Sequence, residues 1–217
     1  MAELLLLLPA SDVQPLHEPV CVTACPTGAL EKRGDGLVLR DEDICMGDRF
    51  CMEACPYKKI YFNYDRHVAQ QCIGCFPRID AGVAPVCVRQ CPGRAVFVGY
   101  LDEEGSAVNR LVNEWKVALP LHPEAGTKPN VFYVPPLSPY RLNEDMSIDY
   151  DNPRIPRDYL ESLFGPEVND ALATLSGEME SVRSGGRSEL LTTLIAYKWQ
   201  ELLGPFPTDP VDAQPVA

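Results

Sequence analysis

The chain has 217 residues and a formal net charge of −12, so a basic surface of the kind that binds nucleic acid is not expected. Hydrophobic residues make up 46% of the sequence, which is typical of a folded chain. No apolar run approaches the roughly 18 residues that span a bilayer, so we expect no membrane span. The leucine run Leu4–Leu8 is not preceded by the Lys or Arg of a secretory signal peptide.

The composition divides the chain into two regions near residue 100. Residues 1–100 contain all nine cysteines, with 12 acidic and 10 basic residues. Residues 101–217 contain 19 acidic and 9 basic residues and 13 of the 21 prolines. An odd number of cysteines, confined to one region, argues against a secreted disulfide scaffold. We therefore predict an α+β cysteine-rich domain at 1–100, followed at 101–217 by a Pro-rich arm and helices.

The first region predicts only short strands between its cysteine motifs. Apolar and β-branched residues favour strands at Gly36–Arg40, Ile60–Phe62 and Ala95–Tyr100. Because such short strands bury little apolar surface, we expect bound metal to stabilise this region.

The second region predicts helices on either side of a Pro-rich stretch. Residues 120–156 carry eight prolines, which lack the N–H donor and exclude regular helix or central sheet. Val131–Val134 is nevertheless apolar, so we expect an extended segment that lies along another subunit and buries its aromatic residues. The alternative is that it wraps only its own chain. Helical periodicity predicts helices at Ser106–Val117, Asp158–Phe164, Glu167–Val182 with Pro166 at the first position, and Ser188–Leu203.

Three cysteine motifs follow one another in the first region. Ferredoxins carry the pattern C-x2-C-x2-C-x3-C-P, in which the fourth cysteine binds the other cluster of a pair. Soft, anionic thiolates are the ligands that iron prefers in such clusters. Three Cys-Pro pairs therefore favour iron–sulfur clusters. The motifs read Cys21-x3-Cys25-Pro26, Cys45-x5-Cys51-x3-Cys55-Pro56 and Cys72-x2-Cys75-x11-Cys87-x3-Cys91-Pro92.

Asp48 stands where the second motif would have its second cysteine. The spacing Cys45-x2-Asp48-x2-Cys51 otherwise follows the ferredoxin pattern. One iron corner then lacks a thiolate, which leaves either a [3Fe–4S] cluster or a [4Fe–4S] cluster whose fourth iron is bound by Asp48. The alternative is that Asp48 is an ordinary loop acid.

The sequence resembles the iron–sulfur beta subunits of the type II dimethyl-sulfoxide-reductase family of molybdoenzymes. This family includes nitrate, selenate, chlorate and perchlorate reductases and the dehydrogenases of dimethyl sulfide and ethylbenzene. The resemblance covers about residues 17–205. It rests on CVTACPTGALEKR at 21–33, CPYKKIYFN at 55–63, CIGCFPRIDAG at 72–82, EWKVALPLHPEAGTKPNVFYVPPLSP at 114–139 and RIPRDYLESLFGPEV at 154–168.

The resemblance implies four clusters with crosswise ligand sets. Cys25, Cys45 and Cys51 would hold the [3Fe–4S]-type cluster, with Asp48 at its odd corner. Three further [4Fe–4S] clusters would each lack ligands on this chain. Their remaining cysteines are Cys72, Cys75 and Cys87 for one, Cys21 and Cys55 for another, and Cys91 for the last.

The chain departs from the family pattern at its N-terminal end. The family's earliest motif is absent, and the first two positions of its next motif are Val13 and Leu16. The ordinary ferredoxin register instead places Pro15 and Glu18 there. We expect that the chain is truncated or wrongly started, with a short natural variant as the alternative.

The resemblance implies an electron-transfer subunit without catalytic residues of its own. Its partners would be a molybdopterin-containing catalytic subunit and a haem-b subunit or cytochrome. Its location would be the periplasm, reached with an exported partner, or else the cytoplasmic face of the membrane. Two alternatives are a free-standing ferredoxin-like carrier and a non-redox remnant, apo or with zinc on Cys72, Cys75, Cys87 and Cys91.

Several charged residues lie beside the predicted ligands. Arg49, Lys58 and Lys59 are candidates for raising a cluster potential by charge and hydrogen bonding. The alternative is a solvated basic loop. His17, His67 and His122 are interpreted as surface or packing residues.

Overall fold

Short helices and paired strands alternate along the chain, in agreement with the predicted α+β class. The computed structural model describes residues 4–7, 16–137 and 140–212. The strands are β1 (Leu4–Leu7), β2 (Leu30–Lys32), β3 (Val38–Arg40), β4 (Tyr61–Asn63), β5 (Val68–Gln70), β6 (Phe97–Tyr100), β7 (Leu119–Pro120), β8 (Phe132–Tyr133), β9 (Tyr140–Leu142) and β10 (Ile148–Pro153). Within the described residues they form antiparallel pairs: β1–β6, β2–β3, β4–β5, β7–β8 and β9–β10.

The helices are short in the first region and longer in the second. None of those formed by the described residues is long and apolar enough to cross a membrane. They are α1 (Val20–Ala24), α2 (Phe50–Ala54), α3 (Phe76–Asp80), α4 (Val86–Arg89), α5 (Ala107–Asn109), α6 (Arg157–Phe164), α7 (Val168–Arg183) and α8 (Glu189–Leu194). A π-helical turn at Arg110–Glu114 continues α5, and 3-10 turns lie at Pro123–Ala125, Trp199–Leu203 and Pro210–Asp212.

The first region repeats one unit, a short helix followed by a hairpin. Helix α1 precedes the β2–β3 hairpin, and α2 precedes the β4–β5 hairpin. Each helix ends at a cysteine in extended conformation, Cys25 or Cys55, directly before a proline. Proline disfavours the helical conformation of the residue before it, so the Cys-Pro pairs set both helix ends. The two helices pack against each other.

The strands predicted from apolar runs are present in shortened form. The predicted strand at Gly36–Arg40 is β3, that at Ile60–Phe62 lies one residue later as β4, and that at Ala95–Tyr100 is β6. Strand β1, from the leucine run, pairs with β6 in the register Leu4 with Tyr100. This pairing was not predicted, because the leucine run carries no alternating pattern.

The helices predicted in the second region differ from those in the structure mainly at their ends. The first begins at its cap, Ser106, whose Oγ accepts a hydrogen bond from the Asn109 backbone N–H at 3.1 Å. It ends at Glu114 rather than Val117. Helix α7 is capped by Glu167, so Pro166 lies one position before the cap and not at the first helical position.

The helix predicted at Ser188–Leu203 is broken, which corrects the prediction. Helix α8 ends at Leu194, Ala196 has a φ of 49°, and a 3-10 turn follows at Trp199–Leu203. A Cβ at Gly204 would lie 2.2 Å from the backbone oxygen of Val98. The break therefore lets the chain turn and press its backbone directly against β6.

The Pro-rich segment packs on its own chain. Val117 and Val131 are fully buried, and Trp115, Phe132, Tyr133 and Val134 pack against the same core. Strands β7 and β8 pair, which corrects the expectation that this segment forms no sheet. The structure therefore favours the alternative in which the segment wraps its own chain.

The largest hydrophobic core joins the two regions. Leu37, Ile79 and Val88 of the first region belong to the same buried cluster as Leu175 and Leu203 of the second. A separate small core surrounds the cysteines of α1 and α2. These cysteines thus lie in a core of their own, separate from the core that joins the two regions.

Candidate iron–sulfur centre

The packing of α1 against α2 brings the first two cysteine motifs together. Cys21, Cys51 and Cys55 are all buried in the small core, and Cys25 packs against it while remaining partly exposed. Thiols this close to one another, in an apolar setting and without disulfide bonds, are suited to holding metal.

Cys25, Cys45 and Cys51 form the first group. Burial raises the pKa of the Cys51 thiol, and the nearby Cys25 and Cys45 raise it further because adjacent thiolates would repel one another. Cys25 and Cys45 therefore both lie near Cys51. They are the three predicted ligands of the [3Fe–4S]-type cluster, and their ligation of iron stays a prediction.

Cys21 and Cys55 form the second group. Burial raises the pKa of Cys21 to about 11, with further contributions from nearby Cys55 and Cys51. Cys21 and Cys55 also line one small cavity, together with Leu16. Leu16 thus presents an apolar side chain beside the two thiols where the family pattern has a cysteine. Val13, the other replaced position, lies outside the described residues.

Hydrogen-bond donors surround the Cys25 sulfur. Burial raises the pKa of the Cys25 thiol, but the Thr27 side chain and several backbone N–H groups outweigh burial, so the pKa lies below its usual value. The N–H groups belong to Thr27, Ala29 and Leu30. The Thr27 hydroxyl lies 3.5 Å from the sulfur. Donors of this kind stabilise a thiolate and tune the potential of a bound cluster. The sequence analysis did not predict this role of Thr27. The feature that could have indicated it is the position of Thr27 directly after the Cys25-Pro26 pair.

Asp48 lies on the exposed loop between Cys45 and Cys51 that leads into α2. The neighbouring Gly47 has a φ of 75°, and a Cβ there would lie 2.5 Å from the backbone oxygen of His67. Only glycine fits that position, so the loop is held against the β4–β5 turn. The role of Asp48 as a ligand stays a prediction.

The basic residues beside the motifs have specific partners. The Arg49 guanidinium lies 3.9 Å from the centre of the Phe62 ring and 5.5 Å from that of Tyr64. Lys58 Nζ donates to the Glu53 backbone oxygen at 2.9 Å, at the end of α2. Both side chains therefore fix the loops that carry cysteines, which is more than a solvated basic loop would do.

The cysteines of the third motif are more exposed to solvent than those of the first two motifs. Cys72 accepts a hydrogen bond from the Gly74 backbone N–H at 3.3 Å, and Cys75 has a φ of 56° at the start of α3. Cys87 is exposed on α4. Cys91 accepts a bond from the Ala95 N–H at 3.4 Å. It also lines a cavity with Arg89, Arg94 and Trp199. Donors again point at the sulfur atoms.

A single-ion site is not formed by the described residues. Among residues 4–7, 16–137 and 140–212, no three His, Cys, Asp or Glu side chains converge as they would around one metal ion. An iron–sulfur cluster has a different requirement, since each thiolate binds a different iron corner. The alternative of a zinc ion on Cys72, Cys75, Cys87 and Cys91 stays a prediction, as does a cluster there.

An ion pair that the sequence analysis missed links two cysteine motifs. The Arg33 guanidinium donates to both carboxylate oxygens of Asp80, at 2.6 and 3.0 Å, and also pairs with Asp35 at 3.1 Å. Arg33 follows β2 and Asp80 ends α3, so the pair connects the hairpin after the first motif to the helix after Cys75. Arg33 and Asp80 both lie in stretches that carry the family resemblance, which was the available signal.

Comparison with known proteins places this arrangement in a family. Residues 13–101 match the 4Fe-4S dicluster domain. The selenate reductase subunit beta of Thauera selenatis is 51% identical over 189 residues, which are 86% of this chain and 58% of that relative. The chlorate reductase subunit beta of Ideonella dechloratans is 50% identical over 86% of this chain and 57% of that relative. The dimethylsulfide dehydrogenase subunit beta of Rhodovulum sulfidophilum is 50% identical over 85% of this chain and 57% of that relative.

The matched relatives are beta subunits, and the chain spans somewhat more than half of their length. Their names, the dicluster domain and the grouped cysteines all agree with the resemblance found from the motifs. The chain therefore belongs to the family of iron–sulfur beta subunits found in these reductases and dehydrogenases.

Proposed function

We propose that this chain relays electrons through iron–sulfur clusters between a molybdenum-containing catalytic subunit and a haem-b subunit or cytochrome. The observation that carries the proposal is the grouping of Cys25, Cys45 and Cys51 where α1 packs on α2. Bound there, a cluster supplies one-electron redox chemistry at a fixed position. Bond-making chemistry takes place on the catalytic partner.

The first cluster of the proposal is of the [3Fe–4S] type, or a [4Fe–4S] cluster with Asp48 at its fourth iron. The support is that Asp48 follows the motif spacing and stands where a fourth thiolate ligand would otherwise be expected. The buried Cys51 and the apolar residues around it keep water from the cluster, while the N–H groups near Cys25 offset its negative charge.

Electrons enter or leave this cluster across an exposed apolar surface. Ile44, Met46 and Phe50 flank Cys45 and Cys51, and 47%, 77% and 57% of their respective surfaces are exposed. Apolar side chains exposed together are typical of contact surfaces. A redox partner docked here would bring its own cofactor close to the cluster.

The segments available for holding a partner lie in the second region. Within the Pro-rich stretch, the β9–β10 hairpin exposes Tyr140, Leu142 and Met146, whereas residues 131–134 pack against the core of their own chain. We assign the docking role expected of the arm to this hairpin. The location belongs to the same proposal: the periplasm, reached with an exported partner, or the cytoplasmic face of the membrane.

Electron transfer from the reduced protein to a haem protein tests the proposal. The anaerobically purified, cluster-loaded chain is reduced, freed of reductant and mixed with an oxidised b-type cytochrome, and haem reduction is followed by absorbance. We expect rapid haem reduction, which Cys51→Ser slows and the matched Cys91→Ser retains. Haem reduction no faster than with apoprotein would contradict the proposal.

A further inference from the structure

The β2–β3 hairpin turns Arg40 toward the cysteine core. Side chains that alternate along a strand, and side chains directly opposite on paired strands, share one face of the sheet. Arg40 is two residues from Val38 and directly opposite Leu30. Both of those residues are buried in the small core with the cysteines of α1 and α2. A charged residue, Arg40, therefore occupies a strand position at which the pattern of buried neighbours predicts an apolar residue.

One donor of this guanidinium has no protein partner. The Arg40 side chain is only 9% exposed. Its Nη2 donates to Glu42 Oε1 at 2.6 Å. Its Nε is buried and, within the part of the chain that the structure describes, meets no hydrogen-bond acceptor. Buried donors nearly always have an acceptor, so an unpaired one points to a group that belongs beside it.

A chain of ion pairs holds Arg40 in this orientation. The Glu42 carboxylate bonds to Arg40 through one oxygen and to Arg66 through the other. Two guanidinium groups share one carboxylate, so the group as a whole is positive. Arginine keeps its charge at all physiological pH values. The missing acceptor is therefore expected to be anionic.

The position of Arg40 in the hairpin associates it with the group formed by Cys25, Cys45 and Cys51. Its strand partner Leu30 begins β2, five residues after Cys25. The adjacent Asp41 backbone N–H donates to the Ala29 oxygen at 2.8 Å. Further along the chain, the same segment leads to Cys45. Arg40 thus lies at the Cys25 end of the hairpin.

We propose that the Nε–H of Arg40 donates a hydrogen bond to a sulfur of the cluster held by Cys25, Cys45 and Cys51, and thereby raises its reduction potential. The acceptor is a cluster sulfide or a ligating thiolate. A hydrogen bond and a positive charge both stabilise the more negative, reduced state. This inference rests on the proposed function, because it requires a cluster at that site.

Pulsed electron paramagnetic resonance on protein labelled with ¹⁵N-arginine tests the contact directly. The full, cluster-loaded chain in its paramagnetic state should show a ¹⁵N coupling from an arginine side chain. Arg40→Lys should abolish it, and Arg49→Lys should keep it, since Arg49 stacks on aromatic rings. A wild-type protein with the cluster signal but no arginine coupling would overturn the proposal, because Nε would then be bonded to water only.

A redox titration gives the second readout. Arg40→Gln should shift the midpoint potential of this cluster to a more negative value, whereas Arg66→Gln, at the exposed end of the same ion-pair chain, should shift it less. Equal shifts, or an unchanged potential in Arg40→Gln, would overturn the proposal. Absence of any cluster signal in the wild-type protein would instead overturn the proposed function, and the role of Arg40 with it.

Discussion

At the scale of single residues, small changes in the cysteine motifs decide what each site can hold. Asp48 stands where the ferredoxin spacing has a cysteine, next to Gly47, which lies against the backbone of His67. Leu16 lines the cavity shared by Cys21 and Cys55, where it adds no ligand. Under the proposed ligand sets, the first change would alter the chemistry of one cluster, and the second would leave another with two thiols on this chain.

We predict that Asp48→Cys converts the cluster of Cys25, Cys45 and Cys51 into a stable [4Fe–4S] cluster. The added thiolate would bind the iron corner that Asp48 holds weakly or leaves empty. Electron paramagnetic resonance of the oxidised protein should then lose its [3Fe–4S] signal.

The control is Asp48→Asn, which removes the carboxylate without supplying a thiolate and should retain the [3Fe–4S] signal. An identical signal in wild type and Asp48→Cys would show that residue 48 does not face the cluster.

The cysteine assignments and the role of Arg40 show how far sequence reaches at this scale. The family resemblance implied the grouping of Cys25 with Cys45 and Cys51, and their ligation of one cluster stays a prediction. Arg40 could not be assigned, because its burial depends on the strand partner Leu30 and on Glu42 together. A charged side chain on the inner face of a strand is only recognisable once the pairing is known.

At the scale of elements, the helices α1 and α2, which end at Cys-Pro pairs, and the hairpins that follow them are linked by specific contacts. The helix ends at Cys25 and Cys55 were predictable, because the restriction before proline is local. The break after α8 was not, because it follows from the approach of Gly204 to Val98 in the folded chain. The Arg33–Asp80 ion pair is the contact that locks the first hairpin onto α3.

We predict that Asp80→Asn lowers the free energy of unfolding by about 1 kcal/mol at neutral pH, the upper end for an exposed pair, because its geometry is bidentate. Chemical denaturation of the reconstituted protein measures the change. Glu180→Gln breaks the more exposed Arg183–Glu180 contact at 3.8 Å and should change nothing measurable.

The same pair should appear in the acid dependence of stability. The Arg33 guanidinium holds the pKa of Asp80 below its usual 3.8. A carboxylate with a lowered pKa adds stability above its unfolded pKa and loses it as the pH falls through the folded value. The stability difference between wild type and Asp80→Asn should therefore shrink below about pH 4. A difference that stays constant as the pH falls well below about 4 would exclude the ion pair as its cause.

At the scale of the whole molecule, the second region completes the fold of the first. The largest core is built from both, and β6 packs against the turn at Trp199–Leu203. Charge and proline content predicted two regions from the sequence. They gave no sign of the shared core, since burial between distant segments leaves no local pattern.

We predict that removing residues 101–217 abolishes cluster binding as well as solubility. The deletion would expose Leu37, Ile79 and Val88 and withdraw support from the cysteine loops. Iron content and circular dichroism of the shortened protein measure this, with removal of only residues 213–217 as the control. A soluble, cluster-bearing fragment that merely fails to bind its partner would show that the second region serves docking alone.

Iron analysis should reveal how incomplete the ligand sets are. The chain supplies nine cysteines, so we predict that the anaerobically reconstituted 217-residue protein binds clearly less than the roughly sixteen iron atoms of four cubane clusters. A full complement would contradict the ligand assignments made for Cys21, Cys55 and Cys91.

Electron paramagnetic resonance of the oxidised, reconstituted chain tests the central claim most directly. If Cys25, Cys45 and Cys51 together hold a redox-active cluster, the spectrum should show a [3Fe–4S] signal that disappears reversibly on reduction. Cys45→Ser should remove this signal, and Cys91→Ser should leave it. A protein that binds only zinc, or whose signal survives Cys45→Ser, would contradict the account.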